Sequence, residues 1–551
     1  MDRPAHIACA GREGGLSMLR RHLLTGAGAG LGAGALGLPA LGQGASGATR
    51  VLKFIPQADL AVTDPILTTA YVTRNHGYMV WDTLYGLDAD YKPQPQMVEG
   101  HVVEDDGKRV TMRLREGLKF HDGEAVRAKD AVASIRRWAA RDSLGQVLLS
   151  VTDELAAPDD RTIVFRLKRA FPLMFDALGK PSSPVCFIMP ERLASQDPNR
   201  PLTGDLIGSG PFRFAANERV PGARVVYTRF ADYVPRGDGT PSWTAGPKRV
   251  HLDRVEWHVT PDPATASAAL QNGEMDWWEQ PTGDLQPVLR RNRNVTLEIP
   301  DPTGLMAIAR FNHLHPPFDK PAVRRALLGA VMQSDFMTAV IGTDRSLWRE
   351  GVGFFPPGTP FASDVGLDAL TSARDMEKVK RDLAAAGYNG ERVVLMAASD
   401  FPSLNALAQV SNDMLTKAGM NVEFVNTDWG TVVQRRASRE PPARGGWSMF
   451  CTFWSGLDMF NPGVHQSLRG HGQQAWFGWP TIPRIEELRQ AWFDAPDVAA
   501  QQRICRDIQQ VAFEDVPYLP LGQYFQATAY RRNLTGVLKG LPMFWNVQRS
   551  G

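Results

Sequence analysis

Between residues 429 and 479 the chain gathers Trp429, Trp447, Trp454, Trp476 and Trp479 around a single aspartate, Asp458. Indole rings make apolar walls with one polar edge, and a carboxylate enclosed by them can hold an ammonium group through a charge-assisted hydrogen bond. The chemistry that follows is binding of a cationic or amine-bearing solute. The same pattern also fits core packing, with Asp458 ahead of Met-Phe-Asn-Pro holding a turn through its side chain. Tyr71, in the loop expected after the first strand, is a further ligand-binding candidate.

Other reactive types are scattered. His121-Asp122, in "LREGLKFHDGEAVRAKDAVASIRRW", lies at a charged turn and reads as structural. His313 and His315 stand without a third ligand, so no metal is expected. Cys9 lies in the leader, and Cys186, Cys451 and Cys505 form no C-x-x-C pair, so buried free thiols are expected, with one disulfide as the alternative. No G-x-S-x-G, H-E-x-x-H or G-x-x-x-x-G-K-[ST] occurs, and neither an enzyme nor a cofactor is expected.

The elements that must position these residues are mixed. Short strand-like runs, "RVLKFIP", "RVTMRLR" and "RTIVFRLK", alternate with helix-like runs, "AKDAVASIRRWAA", "PAVRRALLGAVMQSDFMTAVIG" and "LNALAQVSNDMLTKAG", which predicts an α/β architecture. In "RVTMRLREGLKF" the alternation of Val110, Met112 and Leu114 predicts a half-buried strand closed by turns at Glu116-Gly117 and Asp122-Gly123. From Ala128 a helix is predicted whose apolar face is Ala131, Val132, Ile135 and Trp138. Arg127 stands where an N-cap hydroxyl is usual, so Asp130 must supply the favourable charge in the first turn.

At 551 residues the chain is too long for one core, and two or three lobes are expected. Residues 1–45 hold Arg3, Arg12, Arg20 and Arg21 against Asp2 and Glu13; the remainder carries 57 basic and 57 acidic residues. A neutral body with interspersed charge offers no footprint for nucleic acid. "MLRRHLLTGAGAGLGAGALGLPALGQGASGA" joins Arg20-Arg21 to a weakly apolar run broken by glycines and Pro39, followed by small residues. It reads as a cleaved twin-arginine export signal, with Met18 an alternative start.

Five segments in order resemble one family. "MVEGHVVEDDGKRVTMRLREGLKFHDGEAVRAKDAVASIRRW" is similar to the signature of the family-5 extracellular solute-binding proteins, the peptide, dipeptide and nickel receptors of ABC importers. "IGSGPFRF", "ASAALQNGEMDW", "ARFNHLHPPFDKPAVRRAL" and "VPYLPLGQYF" resemble its later motifs. The resemblance implies the large two-lobed periplasmic binding protein fold. Its first lobe is 50–297 with a subdomain inserted at about 86–204, its second lobe is 298–517, and 518–551 return to the first. It also implies a periplasmic, monomeric receptor that captures a peptide or peptide-like solute between closing lobes and delivers it to an inner-membrane ABC permease. By the same resemblance Trp429 matches a pocket tryptophan, and Trp454 with Asp458 resembles a W-x-G-D segment whose aspartate holds the ligand's α-amino group.

Two departures bear on the ligand. The segment here is "WSGLD", one residue longer, and "SDFPS" puts Phe401 where the dipeptide receptors present an arginine to the ligand's carboxylate. An amine compound, an opine or a nickel complex therefore stays open as an alternative solute, and a secreted hydrolase remains a reading supported only by size and export.

Overall fold

In Arg109–Leu114 the alternating side chains Val110, Met112 and Leu114 are buried on one face of a strand, as the spacing predicts. This strand belongs to a four-stranded antiparallel sheet of Val98–Glu104, Arg109–Leu114, Thr162–Leu167 and Thr152–Ala156. The helix Ala128–Ala139 packs Ala131, Ile135 and Trp138 onto that sheet, while Val132 is half-buried. Asp130 does more than face the helix dipole: its Oδ2 accepts the Arg127 N–H at 2.8 Å and its Oδ1 accepts the Glu191 N–H at 2.8 Å. These residues form a core of their own.

The computed structural model describes residues 50–550. Two larger sheets flank the chain's centre. The first runs in the order Phe212–Phe214, Arg224–Arg229, Arg254–His258, Val51–Ile55, Trp277–Trp278, Thr528–Arg531, Val295–Glu298; Val51–Ile55 is parallel to both of its neighbours. Phe54 meets Trp257, Trp277 and Phe544 at 5.0 to 5.7 Å between ring centres, so the C-terminal segment completes this aromatic core. The second sheet runs in the order Trp348–Arg349, Tyr518–Tyr524, Leu305–Phe311, Met449–Ser455, Arg392–Ala398, Asn421–Thr427. Helices Pro321–Leu328, Gln333–Ile341 and Pro402–Lys417 cover it. The long run from Pro321 to Gly342 is thus two helices, broken between Leu328 and Gln333.

The chain passes between these sheets twice, through residues 299–304 and again through 525–527. Tyr518–Tyr524 is hydrogen-bonded to Leu305–Phe311 in the second sheet. The return to the first sheet therefore begins after Tyr524 and not at residue 518, because the apolar "YLPLGQY" run is a central strand buried along its whole length. Cys186, Cys451 and Cys505 are free and buried. Among the described residues no helix is long and apolar enough to cross a membrane. Cys9, Met18 and the Arg20-Arg21 leader lie outside the described residues.

His121 resolves as a brace. Its Nδ1 accepts the Gly208 N–H at 3.1 Å, its Nε2–H donates to the Gly210 carbonyl at 3.1 Å, and its own N–H reaches the Gly208 carbonyl at 2.8 Å. The "IGSGPF" loop is thereby pressed onto residues 79–81, where a Cβ on Gly208 would come within 1.7 Å of the Val80 carbonyl oxygen. Burial pushes the His121 pKa down to about 4. A histidine whose folded pKa is depressed contributes stability that is complete above about pH 6.5 and is lost as pH falls toward 4, because the unfolded chain takes the proton first. His121→Ala is expected to cost about 1–3 kcal/mol at pH 7 by orphaning two buried backbone groups, and to lose less further stability than wild type between pH 6.5 and 4. Urea unfolding at both pH values checks this.

Candidate binding cleft between the sheets

Gln57, Thr69, Tyr71 and Arg74 reach the cleft from the loop after strand Val51–Ile55 and from the helix Tyr71–Val80. That loop is held down by Asp64, whose Oδ2 pairs with Arg137 at 2.6 Å with both side chains buried, and by the Thr73 hydroxyl, which donates to the Val62 carbonyl at 2.7 Å. Tyr71 is consequently the first residue of a helix, not a loop residue.

The opposite wall comes from the second sheet. Asp428 caps the helix Trp429–Arg435 by accepting the Thr431 N–H at 2.9 Å, and the Trp429 N–H donates to Asp400 Oδ1 at 2.7 Å, which fixes the indole at the helix start. Phe401 meets Trp429 edge-on at 5.8 Å and Phe453 at 5.7 Å. Trp454, from strand Met449–Ser455, meets Trp476 at 5.0 Å, and the Trp476 Nε1–H donates to Thr69 Oγ1 at 3.3 Å across the cleft.

Two adjoining cavities result, sharing Gln57 and Tyr71. One is walled by Phe401, Leu404, Trp429, Phe453, Trp454 and Trp476, with Arg436 and Thr452 as further polar lining. The other is lined by Arg74, Glu279, Asp301, Gln280 and Gln526 among others. Glu279 accepts the Gln57 N–H at 2.7 Å and Asn75 Nδ2–H at 3.2 Å; burial pushes its carboxyl up to about 7 in spite of those bonds and of nearby Arg74. Asp301, in the first crossing segment, is also raised by burial while accepting from Thr303 and Ser455.

Of the residues singled out from sequence, Trp429, Trp454 and Tyr71 line the aromatic cavity together. Asp458 lines neither cavity: it sits buried in the single turn Gly456–Met459, and its Oδ2 takes the Tyr71 hydroxyl. The Asp458 carboxylate is thus directed to the tyrosine. Burial, and the carboxylate beside it, hold the Tyr71 phenol well above its ordinary pKa. Trp447 is wholly buried beneath Phe450 and Trp479, its Nε1–H donating to the Ser438 carbonyl at 3.2 Å, so it is core and not wall. His313 and His315 donate to the carbonyls of Pro517 and Arg439.

Arg436, Glu279, Gln57 and Asp301 escaped the reading of the sequence. Arg435-Arg436 looks like an ordinary basic helix end, and only Arg435 behaves as one, donating to the carbonyls of Gly445 and Gly446. Glu279 was within reach of inference, since it follows the "GEMDW" motif by two residues.

Residues 92–473 match the family model described as bacterial extracellular solute-binding proteins, family 5. A probable peptide ABC transporter periplasmic-binding protein, y4tO, of Sinorhizobium fredii is 37% identical over 528 residues, covering 95% of this chain and 98% of that protein. The glutathione-binding protein GsiB of Salmonella typhi is 24% identical, covering 85% and 86%. Among solved structures, the binding protein AgaA in complex with agropinic acid superposes with a TM-score of 0.75 at 23% identity, covering 91% of this chain and 99% of that one. A dipeptide-binding protein from a Pseudoalteromonas species in complex with Met-Leu gives 0.74 at 19%, covering 91% and 100%.

Tyr71 and Asp458 join the helix Tyr71–Val80 to the second sheet, and the Ser455 N–H donates to the same phenol oxygen. In a double-mutant cycle of Tyr71→Phe and Asp458→Asn, the coupling measured by urea unfolding of the ligand-free protein is expected to be about 0.5–3 kcal/mol, as for residues sharing one hydrogen-bonded network. Additive effects would show the two groups to be independent.

Proposed function

The chain belongs to the bacterial extracellular solute-binding proteins of family 5, and from that premise we propose that it is the periplasmic receptor of an ABC importer, closing two lobes over a peptide or peptide-like solute. The observation that carries this reading is the cleft itself. Its walls come from both sheets, those sheets are linked covalently by only two short segments, and its aromatic and ionic lining is buried. Such a site excludes water from a polar solute and reports occupancy by the angle between lobes. The lobes are assigned to 50–298 with 528–550, and to 305–524, the subdomain of Val98–Leu167 and its helices being inserted in the first.

The receptor acts as a monomer, without catalysis and without nucleic acid, and hands its solute to an inner-membrane permease. Its leader, with Arg20-Arg21, directs folded export to the periplasm. Ligand-free mature protein, screened against peptides, opines and amine compounds, is expected to show a melting shift with one solute class, worth about 2.7 kcal/mol at a hundredfold excess over Kd. The solute should be recovered chemically unchanged; a cleaved product would overturn the receptor reading. Replacing Arg20 and Arg21 by Lys is expected to hold the precursor in the cytoplasm, as cell fractionation would show, and undiminished periplasmic protein would point to another export route.

A further inference from the structure

Several arginines are buried in this protein, and most are spent on structure. Arg310 donates to the carbonyls of Phe477, Ser467, Pro517 and Trp476; Arg324 to those of Asp515, Val516 and Phe318; Arg489 to those of Pro462, Ser143 and Gly463; Arg137 pairs with Asp64. Arg436 is different. It is 2% exposed, yet among the described residues its guanidinium makes one hydrogen bond, to the Thr68 hydroxyl at 3.2 Å, its Nε has no partner, and no carboxylate lies within salt-bridge distance. The rings of Trp429, Phe450, Trp476 and Phe477 lie 4.9 to 5.9 Å from its central carbon, which offers only cation–π attraction. Burial without an anion pushes its pKa down to about 9.

A buried charge left in this state costs far more than one hydroxyl returns. Arg436 lines the aromatic cavity, and no aspartate or glutamate lines it with it. A second donor in the same cavity is stranded as well: the Trp454 Nε1–H is buried and has no acceptor. Two residues with unmet donors, one of them a cation, line a space whose other walls are mostly aromatic and aliphatic.

We propose that Arg436 receives a carboxylate of the bound solute, with the Trp454 Nε1–H as the second donor, so that the receptor selects carboxylate-bearing solutes. The inference deepens the receptor reading and rests on it. It also restores an anion partner to a chain whose Phe401 cannot be one, from a different helix and a different part of the cleft.

The probes are Met-Leu, Ala-Ala-Ala and glutathione, each with free and with amidated carboxyl groups, titrated by calorimetry into ligand-free wild type, Arg436→Gln and Trp454→Phe. Wild type is expected to bind at least one free acid. Amidation of that probe, or Arg436→Gln, should each weaken it by at least about thirtyfold, the low end for truncating one partner of a buried charge pair. The two changes together should cost little more than either, and Trp454→Phe should weaken the free acid more than its amide. Equal binding of acid and amide by wild type, or undiminished binding by Arg436→Gln, would overturn the assignment. If no probe binds wild type, the peptide reading fails, and the melting of the ligand-free proteins still decides Arg436. A ligand-binding cation lost to Gln leaves the melting temperature unchanged or raised, whereas Arg310→Gln lowers it by several degrees. An equal fall in both variants would make Arg436 a structural cation and end the proposal.

Discussion

Two short covalent links, residues 299–304 and 525–527, join the two large sheets, and the rest of the molecule is arranged around that constraint. They run side by side: Gly304, at φ +67°, lies so close to the second link that a Cβ would sit 3.0 Å from the Tyr524 carbonyl oxygen. Neighbouring strands Leu305–Phe311 and Tyr518–Tyr524 continue from them into the second sheet. Short connections at element ends are where hinge closure of two domains around a ligand takes place.

One of the polar networks that cross the cleft starts from the first of these links. Asp301 in the first link accepts from the Ser455 hydroxyl, the Ser455 N–H donates to Tyr71, and Tyr71 donates to Asp458. Each member is largely buried, where a hydrogen bond is electrostatically stronger and an unpaired group more costly than in water. The tyrosine comes from the first body and its partners from the second or from the link, so the network spans the cleft. It also explains why Asp458, in a sequence context that implies a ligand contact, is spent on the protein itself.

The cavity on one side of Tyr71 is aromatic with a cation, and its neighbour holds the carboxylates of buried Glu279 and half-buried Asp301 with Arg74. That separation of charge over a short distance suits an oriented, dipolar solute better than an apolar one. The acidic side carries its own bias: burial raises the Glu279 carboxyl to about 7. A cation placed beside it would favour the charged form.

Periodicity and punctuation were enough to make the strand Arg109–Leu114, the helix Ala128–Ala139 and the α/β class legible, because those depend on neighbours a few residues apart. The family's five ordered segments carried the two-body plan and the inserted subdomain. The tryptophans were legible as a group and not as individuals: Trp429 and Trp454 line the cavity while Trp447 is core beneath Phe450 and Trp479. The placement of Tyr518–Tyr524 in the second sheet depends on pairing with a strand some two hundred residues earlier. Above all, the sequence by itself determined the α/β class and singled out Trp429, Trp454 and Tyr71, which line one cavity together. Only the tertiary structure decided that Asp458 is taken by Tyr71 while Arg436 is left without an anion, since whether a buried charge is paired depends on distances between segments far apart along the chain.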